Sequence, residues 1–186
     1  MFNIIKLCFT DSEKLFKTVK NRSFEQDFKY FALVLLLPLM FTLVVAAFLL
    51  NMFFIISNLM PSGIRLFNVF WFFGFFGPLA LFGAGLAVYA LFLAGAFIAS
   101  AAIHFGVQIS GGKGKYEKTY KAYVYGTTPF VVFFWLPFIN FVFFLWSWYL
   151  NVKGLSKFHK MPANRAFFAT LLPVLTMVAV FVVLMY

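Results

Sequence analysis

After Asp27 the 186-residue sequence contains a single carboxylate residue, Glu117. That scarcity excludes paired-carboxylate catalysis and a Ser/His/Asp triad from the long apolar stretches. It also removes the ionisable groups that proton- or cation-coupled carriers place at membrane depth. Cysteine is equally scarce. Cys8 stands alone, so neither an intrachain disulfide nor a cysteine-built metal site can form. The two histidines, His104 and His159, fall at opposite sequence ends of an expected helical hairpin, without an acidic or thiol partner for a metal. No metal, no other cofactor and no enzymatic activity are expected. The start, Met-Phe-Asn-Ile-Ile-Lys-Leu-Cys, lacks an apolar core long enough for a secretory signal. Met1 is therefore expected to begin the mature chain, with Cys8 accessible from the cytosolic side.

What fills the chain is apolar. Hydrophobic residues make up 64% and charged residues 11%, and 31 residues are Phe, a balance a soluble domain of this size could not bury. Apolar runs longer than ~18 residues read as transmembrane helices. The fold class expected is all-α: a polytopic integral membrane helical bundle with five transmembrane helices and an N-terminal amphipathic helix. The formal charge is +10, but the positives are clumped between apolar runs. Nucleic-acid binding would need a basic face on a soluble module and is not expected.

Residues 1–29 form a polar cytosolic segment, and 30–186 form the membrane domain. Thr10-Asp-Ser-Glu13 reads as a capping box opening a helix. On that helix Ser12, Leu15, Phe16 and Val19 share one face, while Lys14, Lys17 and Lys20 point the other way. Such a helix either lies in the headgroup layer or packs on the protein's own loops. Spans are expected at about 30–57, 79–109, 116–137, 139–157 and 164–186. Pro38 is expected to kink the first. Gly74, Gly77 and Pro78 break the stretch before the second, so 66–77 reads as interfacial or re-entrant. In the third, Thr127 and Thr128 are expected to cover the carbonyls that Pro129 frees, and Pro137-Phe-Ile-Asn140 to form a tight outer turn. Lys118, Lys121 and Lys153 are expected to snorkel to the surface. The loop Gly111-Gly-Lys-Gly-Lys115 does not meet the phosphate-loop spacing and reads as a flexible, lysine-bearing connection.

Charge decides the count. With five spans the cytosolic segments carry six, four and four Lys/Arg, and the outer ones carry one and none. Splitting 66–109 into two spans, or merging the third and fourth, would put basic loops on the outer side, against the positive-inside bias. The N-terminus is thus expected in the cytosol and the C-terminus outside. Lys14, Lys17, Lys20, Lys113, Lys115, Lys157 and Lys160 are candidate contacts to anionic lipid headgroups or to a protein partner at the cytosolic face.

Two patterns on the second span carry possible function. Ser100, His104 and Gln108 form a polar stripe, either a polar path or ligand site, or hydrogen bonds between helices. Ala87, Gly95 and Ala99 form a small-residue face that permits close helix approach. The face serves the protein's own helices or a homo-oligomer.

The second half also resembles a known family. Gly111-Gly112, the Tyr116 to Tyr125 helix, Pro129, Pro137, Trp146, Gly154-Leu155, His159, Arg165-Ala166 and Pro173 stand in the order and spacing of the Yip family of five-span membrane proteins. Phe16-Lys-Thr-Val-Lys and Phe28-Lys-Tyr are similar to its prokaryotic members. The resemblance implies a cytosolic N-terminus, five helices and no known catalysis. Eukaryotic members act in vesicle traffic, membrane shaping and binding of prenylated Rab GTPases. This sequence lacks their long N-terminal tail and their Asp-Leu-Tyr-Gly-Pro motif, which points to a short prokaryotic member in the cytoplasmic membrane; a eukaryotic one would sit in the ER or Golgi. The function expected is that of a non-enzymatic membrane organiser or adaptor. The alternative is a small transporter or channel using the polar stripe.

Overall fold

The computed structural model describes residues 1–59, 67–136, 138–171 and 175, and every regular element among them is helical. Six helices run α1 Phe2–Thr10, α2 Ser12–Val19, α3 Phe24–Leu59, α4 Phe67–Ile109, α5 Tyr116–Phe133 and α6 Ile139–His159. A seventh, α7, occupies 163–171. Pro137, most of the expected turn at 58–65 and nearly all of the last expected span beyond 171 lie outside the described residues.

Two stretches, Phe24–Met52 and Leu79–Ile109, are long and apolar enough to cross a bilayer. Only 17% and 11% of their most apolar windows are buried, unlike the core helices of a soluble protein. Their outward faces carry Leu33, Val44, Phe48, Leu91 and Ile98, all exposed. Such faces require lipid around them.

α4 differs from expectation. It runs unbroken through Gly74, Gly77 and Pro78, so the chain does not break there. α3 likewise continues through Pro38.

The N-terminus is more structured than expected. Residues 2–10 form a helix, and the cap of α2 is Asp11, whose carboxylate accepts from the Lys14 amide at 2.9 Å. Thr10, expected as the cap, is the last residue of α1, and its hydroxyl donates back to the Lys6 carbonyl. The apolar face of α2 packs on the protein itself: Leu15, Phe16 and Val19 are fully buried. Phe16 meets Phe158 edge-on at 5.6 Å, beside Gly154, where a Cβ would come within 2.9 Å of the Phe16 ring.

α5 and α6 form the most closely packed pair. A Cβ at Gly126 would lie 2.8 Å from the Asn151 backbone nitrogen, so only glycine permits this approach. The chain turns at 134–136 and again at Phe138, close to the expected turn, and α6 starts at Ile139. At Pro129 the helix is repaired from outside. The threonine hydroxyls cover the carbonyls of Tyr123 and Val124. The carbonyl that Pro129 itself leaves without a donor belongs to Tyr125, and it accepts from the Cys8 thiol at 3.6 Å. The Phe130 amide donates to the Ser147 hydroxyl of α6 at 2.9 Å. The threonine assignment therefore needs correction: a Thr at 127 or 128 reaches back to residue 123 or 124, not to 125.

Candidate functional site

Three basic segments that are far apart in sequence converge at one end of the bundle. α2 lies on the C-terminal part of α6, where Lys157 donates to the Glu13 carbonyl at 3.3 Å and Lys153 to the Ser12 hydroxyl at 2.8 Å. The loop between α4 and α5 reaches the same end, its Lys113 amide donating to the His159 carbonyl at 3.4 Å. Lys14, Lys17, Lys20, Lys113, Lys115, Lys157 and Lys160 are all exposed there. Of the lysines expected to snorkel, Lys118 is exposed and Lys153 half-buried.

Lys121 turns inward instead. It is 8% exposed, and its ammonium donates to the carbonyls of Lys20 and Arg22 at 3.1 and 2.6 Å, just past the end of α2, where unpaired carbonyls collect negative potential. It also lies 3.6 Å from the carboxylate of Asp27. Asp27 is 1% exposed. It accepts from the Tyr125 hydroxyl at 2.7 Å and has Arg22 at 3.8 Å. Sequence reasoning left Asp27 in the polar N-terminal segment. The one signal available was that Asp27 is the last acid before the first apolar run and Lys121 the last lysine before another.

Below the lysines lies a three-helix polar network. The Ser100 and Tyr116 hydroxyls are 2.7 Å apart. His104 Nδ1 lies 2.7 Å from the Thr119 hydroxyl, which lies 2.9 Å from His159 Nε2. The amide nitrogen of Gln108 is 3.2 Å from His104 Nε2. An amide NH2 only donates, so His104 Nε2 accepts and its proton sits on Nδ1. Thr119 then accepts from His104 and donates to His159 Nε2, which leaves the His159 proton on Nδ1, next to Gly114. The two histidines thus meet, ring centres 6.0 Å apart, although the sequence placed them at opposite ends of a hairpin. Burial, then the neighbouring His104 and Lys118, push His159 down to about 4, so it is neutral at physiological pH. Thr119 is fully buried, so no substrate reaches the hydroxyl between the two rings. Among the described residues no three His, Cys, Asp or Glu side chains come together to hold a metal.

The small-residue face, Ala87, Gly95 and Ala99, lies on α4. Ala87 is exposed, and among the described residues nothing lies within 4 Å of a Cβ placed at Gly95. Ala99 is half-buried. Close approaches on α4 are made at Gly85, against Leu43, and at Gly106, against the Ala169 carbonyl.

Cys8 is not accessible as expected. It is fully buried, and burial pushes its thiol up to about 12. α1 is clasped from both sides, Cys8 against α5 and the Trp146 indole donating to the Cys8 carbonyl at 2.9 Å.

Among models of known protein families, that of the Yip1 domain matches residues 8–184. No curated protein and no solved structure matches the chain.

Proposed function

The chain belongs to the Yip1 domain family, and from that premise we propose that it is a non-enzymatic membrane organiser whose basic end faces the cytosol and gathers anionic lipid headgroups. In this reading it is an integral membrane protein with five apolar helical segments in the membrane, the N-terminus in the cytosol and the C-terminus outside. The observation that carries the reading is the convergence of three basic segments at one end, with lysines exposed on each. Each well-placed Lys near an anionic surface contributes ~1 kcal/mol of attraction. The same face offers a docking place for an acidic protein partner. A transporter reading is supported less. The polar stripe Ser100, His104 and Gln108 has its groups engaged with Tyr116, Thr119 and one another, so it offers a permeant ion few free ligands.

Extraction in native polymer nanodiscs followed by lipid analysis tests this. Anionic lipid should be enriched around the protein relative to the bulk membrane. Enrichment should fall when Lys14, Lys17 and Lys20 are changed to Gln. A lipid shell identical to the bulk would contradict it.

A further inference from the structure

Measured from its last charged residues, the α5–α6 hairpin is shorter than the hydrocarbon core of a bilayer. The last charged residues before its tip are Lys121 on α5 and Lys153 on α6. From Lys121 to Phe133, and from Lys153 back to Ile139, the helices descend only roughly 18–21 Å. A hydrocarbon core is ~30 Å thick.

The neighbouring helices give an independent ruler. The exposed Lys29–Glu25 pair marks water on α3. The hairpin tip lies beside Phe41 of α3, whose ring is 4.3 Å from that of Trp135. It also lies beside Phe92 of α4, 6.5 Å from Phe134. Lys29 to Phe41 is again only roughly 18 Å. α3 then continues to Leu59, and α4 comes back from Phe67, both far past the tip. The hairpin thus stops partway down the α3–α4 pair.

The chemistry of the tip agrees. Phe138 is 93% exposed, and Trp135 and Phe134 are exposed beside it, a poor surface for water and a good one for acyl chains. The turn makes several of its own backbone hydrogen bonds. The Leu136 amide donates to the Phe133 carbonyl, that of Asn140 to Leu136, and that of Phe141 to Phe138. The Trp135 indole donates to the Val132 carbonyl.

We propose that α5 and α6 do not cross the membrane but enter from the basic side and turn back among the acyl chains. The third and fourth expected spans then become one re-entrant hairpin, while α3 and α4 cross. Every loop keeps its side, so the positive-inside pattern is untouched. The consequence is a functional asymmetry: of these four helices, all displace lipid in the cytosolic leaflet and only α3 and α4 in the other. A protein of this shape is a one-leaflet wedge, which adds area to the cytosolic leaflet and bends the membrane toward the cytosol.

Site-directed spin labelling decides it. The full chain carrying Cys8→Ser and either Phe138→Cys or Phe141→Cys is labelled and reconstituted in phosphatidylcholine/phosphatidylglycerol vesicles. Both native side chains are exposed, so neither change should disturb packing. Accessibility to oxygen and to a water-soluble nickel chelate is then measured. Lys17→Cys and Arg65→Cys serve as references for the two aqueous sides. The wedge predicts high oxygen and low nickel accessibility at 138 and 141, at depths inside the hydrocarbon. Nickel accessibility at 138 matching that of 65 would show that the hairpin crosses, and accessibility matching that of 17 would show that it never inserts. Either result overturns the proposal, whatever the lipid preference of the basic face.

Discussion

The thiol of Cys8 donates to the Tyr125 carbonyl, the one backbone acceptor in α5 that Pro129 leaves without its helical partner. A residue at the N-terminus thereby completes a helix in the second half of the chain. The contact explains why α1 docks where it does. A proline break opens a backbone acceptor, and burial of that acceptor demands a donor.

Cys8 should therefore behave as a structural donor and not as a reactive thiol. In folded protein at pH 7.5 it should resist maleimide, reacting only after denaturation. Cys8→Ser keeps a donor and should change stability little. Cys8→Val leaves the Tyr125 carbonyl unpaired and should cost about 1–2 kcal/mol. Thermal unfolding in an uncharged detergent measures both.

Asp27→Asn should be among the most damaging single changes. It keeps the shape and the Tyr125 hydrogen bond but leaves Lys121 buried without its counter-charge. Removing one partner of a buried pair costs about 3–5 kcal/mol. Lys121→Met in the same chain should recover part of the loss, a coupling a double-mutant cycle would read. Additive losses would show that the two charges do not act as a pair.

The sequence made the membrane class, the hairpin turn and the start of α6 legible, because runs of Phe, Leu and Val and the Pro137 turn signal are local. It could not show that Asp27 and Lys121 meet, because each reads alone as an ordinary flanking charge. His104 and His159 were visible as single residues, but the crossing of α4, α5 and α6 that brings both onto Thr119 is a tertiary fact. The Asp11 cap was missed for a different reason. A helix ahead of it claimed Thr10, and at nine residues that helix is too short for its apolar residues to show a period. The charge pattern has no bearing on the depth proposed for the hairpin, since a crossing pair and a re-entrant pair leave the lysines on the same side.

The histidine network makes two predictions. Nitrogen-15 NMR of histidine-labelled protein should find both rings neutral and protonated on Nδ1 at pH 7.5, the order that Gln108 and Thr119 impose. Stability should also depend on pH through His159. Its native value, about 4, lies below the ordinary 6.5, so between these the unfolded chain binds a proton that the folded one does not. The contribution is complete above pH 6.5 and is lost as pH falls toward 4, by up to about 3 kcal/mol. His159→Gln should flatten that part of the Tm profile. An unchanged slope would show that other groups produce it.

Gly126→Ala should separate α5 from α6. The added Cβ meets the Asn151 backbone nitrogen at 2.8 Å, which no rotamer change relieves. A loss of about 1–3 kcal/mol is expected, with the Asn151 side chain displaced from Thr127. A variant as stable as the parent would mean that the pair packs less closely than described.

The central claim is that the three basic segments lie on one side of the membrane and form one face. Single cysteines at Lys17, Lys113 and Lys160, each in a Cys8→Ser background, test it with an impermeant maleimide applied to intact cells and to inverted vesicles. All three side chains are exposed, so accessibility reports the side alone. The account predicts labelling of all three in inverted vesicles and of none in intact cells. Labelling of any one of them from outside intact cells would contradict it.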